Sequence, residues 1–504
     1  MLPYLTAESE NSKKYIINFQ GLNLGENFQD GEFSDCKNVS SVLAPCISQR
    51  FTRVKTATYT APTAMHAKEG MLVIDGTSVK YDGETVGAVT TGRKQMATIG
   101  NYIVIFPDKK YYNVATGEFG SMEETFSGSG LVFTASTITT TGTFSFHVGD
   151  AVEITGCTVN AANNKTAIVR GVSNTTLTFY DNTFTAGTET GTVTIKRSVP
   201  DLDFICESNY RLWGVKGNTI HGSKYGDPFN FSVFDGLTGD SYYIDVGSDG
   251  EFTGCIPYSS HICFFKENTL HKLYGSKPSN FQMVTSQVYG VQAGCERSMR
   301  VINETLFYKG VNGVYAYTGG VPELISGKFG TVRFSDACAE SDGERYYISM
   351  KRGTQWNLFV YDVQRNIWLR EDDLHCVDMA FLGGYVYLLS ADCCLYKIDS
   401  AGLKTDIEWS VTFCPFTETI NERKGYSKFH LRLELGADSW FTVELKRDYE
   451  TQWHTVYTTH NERARTISIP VIPARCDSVE IRLSGKGECL VRTFIREFSV
   501  GSDV

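Results

Sequence analysis

The chain has no long hydrophobic run, little proline, a deficit of basic residues and no catalytic signature, and each lack removes a class of protein. No apolar stretch approaches the roughly 18 residues of a membrane helix, so no membrane span is expected. The opening MLPYLTAESENSKKY lacks a basic segment followed by an apolar core, so it does not read as a secretory leader. With 12 Pro beside 47 Gly in 504 residues, 41% of them hydrophobic and 21% charged, the composition excludes a collagen-like or disordered chain. Lys and Arg number 47 against 57 Asp and Glu, a net charge of −10, whereas a protein that grips DNA by its phosphates carries a basic face.

Chemical motifs are missing as well. There is no HExxH, no GxGxxG after a strand, no GxxxxGK followed by Ser or Thr, and no GxSxG, so zincin, dinucleotide, P-loop and α/β-hydrolase chemistry lack their geometry. The Asp boxes of sialidase-type propellers, SxDxGxxW, are absent too. DVGSDGEFTG, with Asp245, Asp249 and Gly250, resembles a calcium loop, but Gly247 stands at the third ligand position and Ile256 where the bidentate Glu belongs; an acidic turn is expected. Glycosidases need two carboxylates flanking a bond. Glu371, Asp372 and Asp373 after Trp368, beside Arg370, read as a solvated turn. His261 and His271 flank one hairpin and read as ordinary surface or strand residues. The 14 cysteines are scattered from Cys36 to Cys489, with no zinc spacing and no CxxC; Cys393 and Cys394 are merely adjacent. Cys206, Cys263 and Cys414, inside apolar strands, read as small buried hydrophobes, which suits assembly in a reducing cytosol. No catalytic, cofactor-binding or metal-binding residue is assigned, no cofactor is expected, and the chain reads as not an enzyme.

What is present is a repeated hairpin. Period-two alternation with Gly, Asn or Asp turns recurs in MLVIDGTSVKYDGETVG (71–87), YIVIFPDKKYYNVATGEFG (102–120), YRLWGVKGNTIHGSK (210–224), HICFFKENTLHKLYGS (261–276), ETLFYKGVNGVYAYTGG (304–320), RYYISMKRGTQWNLFVYDVQRNIWLRE (345–371) and YVYLLSADCCLYKID (385–399). From Tyr210 the starts fall at 210, 261, 304, 345 and 385, a repeat of about 40–50 residues, the period of β-propeller blades. The fold expected is all-β: a propeller of about seven blades, six to eight being possible, with a stack of small β-domains as the competing arrangement. Residues 125–196, where 19 of 72 are Thr, read as an inserted small β-domain, and about seven closely spaced strands after 402 read as a C-terminal β-sandwich. The expected division is 1–124 (N-terminal segment and first blades), 125–196 (insertion), 197–402 (remaining blades) and 403–504 (sandwich, with 13 basic and 15 acidic residues from Thr405 onward).

Three phrases carry a resemblance. YIINFQGLNLGENFQDGEFSDCKNVSSVLAPCISQR (15–50) orders an apolar strand, FQGLN, DGE, a late Asn and a closing Arg. The stretch 207–254, ESNYRLWGVKGNTIHGSKYGDPFNFSVFDGLTGDSYYIDVGSDGEFTG, is similar to an RLW…GDP phrase of phage tail and joining proteins, and the ending 475–504 looks like terminal strands of the same group. Together they resemble the phage tail nozzle and packaged-DNA stabilization (head-to-tail joining) proteins. The resemblance implies a structural virion protein with a propeller core, assembled in the bacterial cytoplasm as a ring of six copies. Its partners would be the portal or adaptor and other tail proteins, and it would retain genomic DNA and then pass it without sequence-specific binding. Two alternatives remain open: a receptor- or carbohydrate-binding tail protein, with Trp440 and Trp453 as platforms, and a propeller hydrolase.

Overall fold

In a computed structural model the described residues are 11–399, 401–402, 406–460, 465–472 and 474–500. Residues 1–10, read above for a leader, and the last four residues of the terminal phrase lie outside them. The described chain is all-β, as its hairpin pattern requires: strands are joined by turns and four single-turn 3-10 helices. No helix among these residues is long and apolar enough to cross a membrane. Contacts divide the chain into two units, Tyr59–Glu304 and Met1–Thr58 with Thr305–Val504.

In the unit Tyr59–Glu304, four antiparallel four-stranded sheets follow one another as meanders. They begin at Pro62–Lys68, Gln95–Ile99, Phe204–Ser208 and Phe252–Tyr258. The second strand of each is the apolar run seen in the sequence; Gly70–Asp75 and His261–Lys266 are buried along their whole length. Period-two alternation explains how such a strand serves two cores at once. Along Tyr102–Phe106, Ile103 and Ile105 join Leu72, Ile74 and Val79 of the first sheet. Val104 and Phe106 point the other way, to Leu202, Ile205 and Leu212 of the third. The third sheet repeats the device, because Leu212 faces the second sheet while Trp213 and Val215 face Phe264 and Leu273 of the fourth. Each fully buried side chain of this size contributes about 1.5–3 kcal/mol. Gly222 is required beneath Trp213, since a Cβ there would lie 2.7 Å from the indole ring.

Between the second and third sheets, Glu124–Phe133 to Gly187–Arg197 form one seven-stranded sheet around a separate core that includes Phe133, Val152, Ile154, Val193 and Ile195. Thr alternates outward along it, as in Thr192 and Thr194 flanking Val193.

The other unit contains the rest of the series. The fifth set of four strands ends with Thr305–Gly310, Gly313–Tyr317 and Glu323–Leu324, and the sixth runs from Ser335–Ser341 to Ile367–Asp372. The seventh joins Cys376–Leu382, Tyr385–Ser390 and Cys394–Asp399 to Thr52–Thr58, with Asp399 opposite Thr52. The remaining strands form two larger sheets. One has six strands, among them Glu408–Phe413, Trp440–Arg447 and Val479–Lys486; the other has seven, centred on Lys424–Leu435 and Cys489–Val500. Residues 11–49 belong to these two sheets and not to the first hairpins with which the sequence reading grouped them. Asn11–Ile16 pairs with Cys489–Val500, and Glu32–Lys37 with Glu408–Phe413. The backbone ladder that decides this carries no local sequence mark.

A second difference concerns the acidic run after Trp368, which is not a solvated turn. Glu371 and Asp372 both ion-pair with Arg53, whose side chain is 8% exposed, while only Asp373 stays at the surface with Arg370. The cation comes from the strand that closes the seventh sheet, more than 300 residues earlier, so the run alone cannot reveal it. Burial pulls the Arg53 guanidinium down, and the two carboxylates more than reverse this, holding it far above its ordinary value.

Replacing Arg53 with Met leaves Glu371 buried without its cation and is expected to cost about 3–5 kcal/mol. Urea unfolding checks the loss, and the added change Glu371→Met should recover part of it.

Candidate functional site

The RLW…GDP phrase builds a surface feature of the third sheet. Asn209 and Tyr210, both at positive φ, form the two-residue turn between Phe204–Ser208 and Arg211–Lys216. A long loop, 223–241, then separates Thr219–Gly222 from Tyr242–Asp245. Its backbone is held from beneath by Arg211, which is fully buried. Arg211 Nη1 donates to the carbonyls of Ser223 (2.6 Å) and Asp240 (2.5 Å), and Nη2 to that of Thr238 (3.0 Å). Burial lowers the guanidinium's pKa while Asp240 and Tyr225 oppose the shift. Inside the loop Asp227 Oδ1 accepts from the Phe229 amide, and Asp240 Oδ2 from the amides of Gly236 and Leu237. Buried Asn230 joins the loop to the inserted sheet, donating to Asp150 (3.0 Å) and accepting from the Ala151 amide. Asp150 is in turn ion-paired to buried Arg197 at 2.8 Å.

This framework displays rings to solvent. Tyr210 and Tyr225 lie 5.6 Å apart, Phe234 and Tyr243 5.7 Å, and all four are more than half exposed. The Gly226 amide donates to the Tyr210 carbonyl, which fastens the turn to the loop. Beside them Arg170 of the inserted sheet covers Tyr180 at 3.8 Å and ion-pairs with Asp235. Tyr210 is the only aromatic residue at positive φ among the described residues, a conformation costing a bulky residue about 1–3 kcal/mol. The turn thus holds a large ring out in solvent. The arrangement offers ring faces and hydrogen-bonding hydroxyls to a partner; it contains no nucleophile and base pair.

The residues singled out from sequence are dispersed. His271 and the acidic turn do meet: Ser248 Oγ is 2.8 Å from His271 Nε2, and the Ser248 carbonyl accepts from buried Lys266 at 2.7 Å. Asp245 accepts from the Thr219 hydroxyl, and no cluster of His, Cys, Asp and Glu able to hold a metal occurs among the described residues. His271 and His261 are strand residues, as read from the sequence, and both are buried. Burial, with Lys266 adding to it, takes His271 down to about 4, and Thr285 Oγ1 lies 2.8 Å from its other nitrogen. His261 is packed on Tyr274 at 4.7 Å, and its pKa is lowered too, by burial and then by Lys272. Cys206, Cys263 and Cys414 are buried; burial pushes the thiols of Cys263 and Cys414 up to about 12. Trp440 and Trp453 are both half-buried, and cations flank the Trp453 ring, Arg482 at 4.5 Å and Lys446 at 5.1 Å. Sequence reasoning missed Tyr210, Tyr225, Phe234 and Tyr243, although all four sit in the quoted phrase, Tyr210 at the NY turn and Tyr225 beside GDP.

No family model and no curated protein matches the chain. Among solved structures it is similar to BamB from Moraxella catarrhalis, with 11% identity, 70% of this chain and 98% of that one covered, and a TM-score of 0.37. It is also similar to the phage phi92 endosialidase, with 12% identity, 72% and 68% covered, and a TM-score of 0.27. An exo-β-1,3-galactanase from Phanerochaete chrysosporium gives 8% identity, 57% and 92% covered, and a TM-score of 0.22. All three scores lie below 0.5, and no ligand or activity passes from these proteins to this chain.

Two outcomes follow. Arg211→Ala frees three loop carbonyls and is expected to cost about 3 kcal/mol or more, with new cleavage within 223–241 under limited proteolysis. His271 binds its proton at 6.5 in an unfolded chain but only near 4 here, so acidification between those values favours unfolding. The melting temperature should fall from pH 7 to 4.5, and His271→Gln, which keeps an uncharged hydrogen-bonding side chain there, should flatten that fall.

Proposed function

We propose that the chain is a structural, non-enzymatic component of a phage virion, at the tail or head-to-tail junction, built in the bacterial cytoplasm. The seven sets of four strands are the blades of one propeller, the larger sheet pair is a β-sandwich, and copies of the chain assemble as a ring in the manner of nozzle and stabilization proteins. The observation that carries this reading is the loop 223–241: the phrase that resembles tail proteins has no catalytic geometry and is spent on displaying four exposed rings, which suit a neighbouring virion subunit. Paired packing of Phe413 against Phe494, 5.4 Å apart, supports the sandwich. First strands of successive sheets lie side by side within each unit, as Gln95–Ile99 beside Phe204–Ser208, that beside Phe252–Tyr258, and Ser335–Ser341 beside Cys376–Leu382, which supports the propeller. A net charge of −10 per copy would repel a passing duplex and not stall it.

The electrostatics support a non-enzymatic role. A glycosidase's general acid needs a raised pKa. Asp108, Glu189 and Asp362 are displaced downward: burial pushes each up, but hydrogen bonds, from Lys94 and Thr90, from three backbone amides, and from Ser41 and Arg365 respectively, prevail. These three carboxylates hold structure. The second reading, a receptor- or carbohydrate-binding tail protein, is favoured by the same exposed rings, which also suit stacking on sugars.

Changing Tyr210, Tyr225, Phe234 and Tyr243 together to Ser is expected to leave the melting temperature within a few degrees while lowering incorporation into virions at least tenfold. Unchanged incorporation overturns the ring-interface role. Particles without the protein should lose their DNA; particles that keep it and fail only in adsorption support the second reading instead.

A further inference from the structure

A second feature of the unit Tyr59–Glu304 lies apart from the ring-bearing loop. A cleft of about 310 Å³ opens between the second and third sheets, lined by Arg93, Gln95, Phe106, Leu202, Phe204 and Glu296 with Pro107, Asp203 and Gly294 at its margin. Gln95 and Phe204 are the first residues of the leading strands of these sheets, so the cleft sits where two rigid elements begin. Its size matches the lower end of small-molecule sites, roughly 300 Å³.

The floor is apolar, from Phe106, Leu202 and half-buried Phe204, and the rim is polar and fixed. The carboxylate of Glu296, 5% exposed, accepts from Arg93 Nη2 at 2.7 Å and from Gln95 Nε2 at 2.8 Å. Arg93 also donates to the Gly294 carbonyl at 3.1 Å. The segment carrying Glu296 is anchored on both sides: Arg297 donates to the carbonyls of Thr63 and Lys94, and the Ala293 amide to Glu267. Lys94 is itself ion-paired to buried Asp108. On the opposite margin Asp203 is balanced by Lys216 at 2.8 Å.

Charge decides the ligand class. Arg93 cancels Glu296 and Lys216 cancels Asp203, so the cleft has no net field to attract a phosphate or a sugar acid. What it offers is an aromatic face beside a carboxylate, an amide and a guanidinium. Their planar arrays of donors and acceptors match the adjacent hydroxyls of a pyranose whose C–H face rests on a ring. We propose that this cleft binds a neutral pyranose unit of a glycan, by a site separate from the exposed rings of Tyr210, Tyr225, Phe234 and Tyr243. The proposal does not depend on the virion reading, since it uses only the cleft's own groups.

Saturation-transfer NMR on the full chain tests it with maltotriose, cellotriose, chitotriose and laminaritriose as probes and 3′-sialyllactose as the charged comparison. At least one neutral trisaccharide should receive saturation. Arg93→Gln, which keeps a hydrogen-bond donor beside buried Glu296, and Asp203→Asn, at a half-exposed side chain, should each weaken that binding, and with Glu296→Gln added it should fall at least tenfold; Tyr225→Ser should leave it unchanged. The proposal is overturned by transfer to none of the four neutral probes, by binding that survives the triple change in a chain with an unchanged melting curve, or by a preference for sialyllactose. Loss on Tyr225→Ser would move the sugar to the exposed rings and overturn the assignment to this cleft.

Discussion

A four-stranded sheet that is apolar on both faces cannot stand alone in water, and most of this chain's architecture answers that constraint. Strands such as Tyr102–Phe106 send alternate side chains to two different cores, so each sheet from Pro62–Lys68 to Gln282–Gln287 is stabilised only by having a neighbour. The first strand of each sheet is less uniformly buried than the second and is free to carry polar groups such as His66, Gln95 and Glu207. Function can therefore be varied at strand ends and connections while the second strands remain fixed by packing. The loop 223–241 and the cleft at Gln95 and Phe204 both occupy such positions.

Buried arginines do a different task. Arg211 gathers three carbonyls of one loop; Arg53 joins strands far apart in sequence; fully buried Arg496 binds Glu418 and Asp30 and lies 3.7 Å over the Phe416 ring. Each guanidinium reaches several acceptors in a plane, which a lysine cannot do with fixed geometry. Burying such a charge adds little net stability, but removing one partner of a buried pair is costly, so these contacts are sensitive points of the fold.

The strand content was legible because turns at Gly, Asn and Asp separate runs whose alternation is local. Partner choice was not. Asn11–Ile16 gives no sign that it pairs with Cys489–Val500, and Glu371 and Asp372 look solvated until Arg53 arrives from another strand. The RLW…GDP phrase stood out in sequence for the same residues that matter in the structure, Arg211 and Asp227 with Asn230, but their job is to shape a backbone. The rings they display are ordinary Tyr and Phe residues, indistinguishable by type from the buried aromatics that fill the sheets. The cleft was equally hidden, since its wall joins residues near 95, 204 and 296.

The pairing of Thr52–Thr58 with Cys394–Asp399, and of Asn11–Ile16 with Cys489–Val500, sets a schedule for biogenesis. A chain emerging from the ribosome at about 5–20 residues per second exposes its first strands on the order of half a minute before their partners exist. Through that interval the leading segment must stay soluble as a set of open strand edges. Its composition suits the wait: NSKKYI and TRVKTAT place lysine or arginine within the waiting strands, and charged edges resist pairing with other chains. Strands made late in this stretch of chain thus seal strands made early, so a product cut short between them keeps the early edges unpaired.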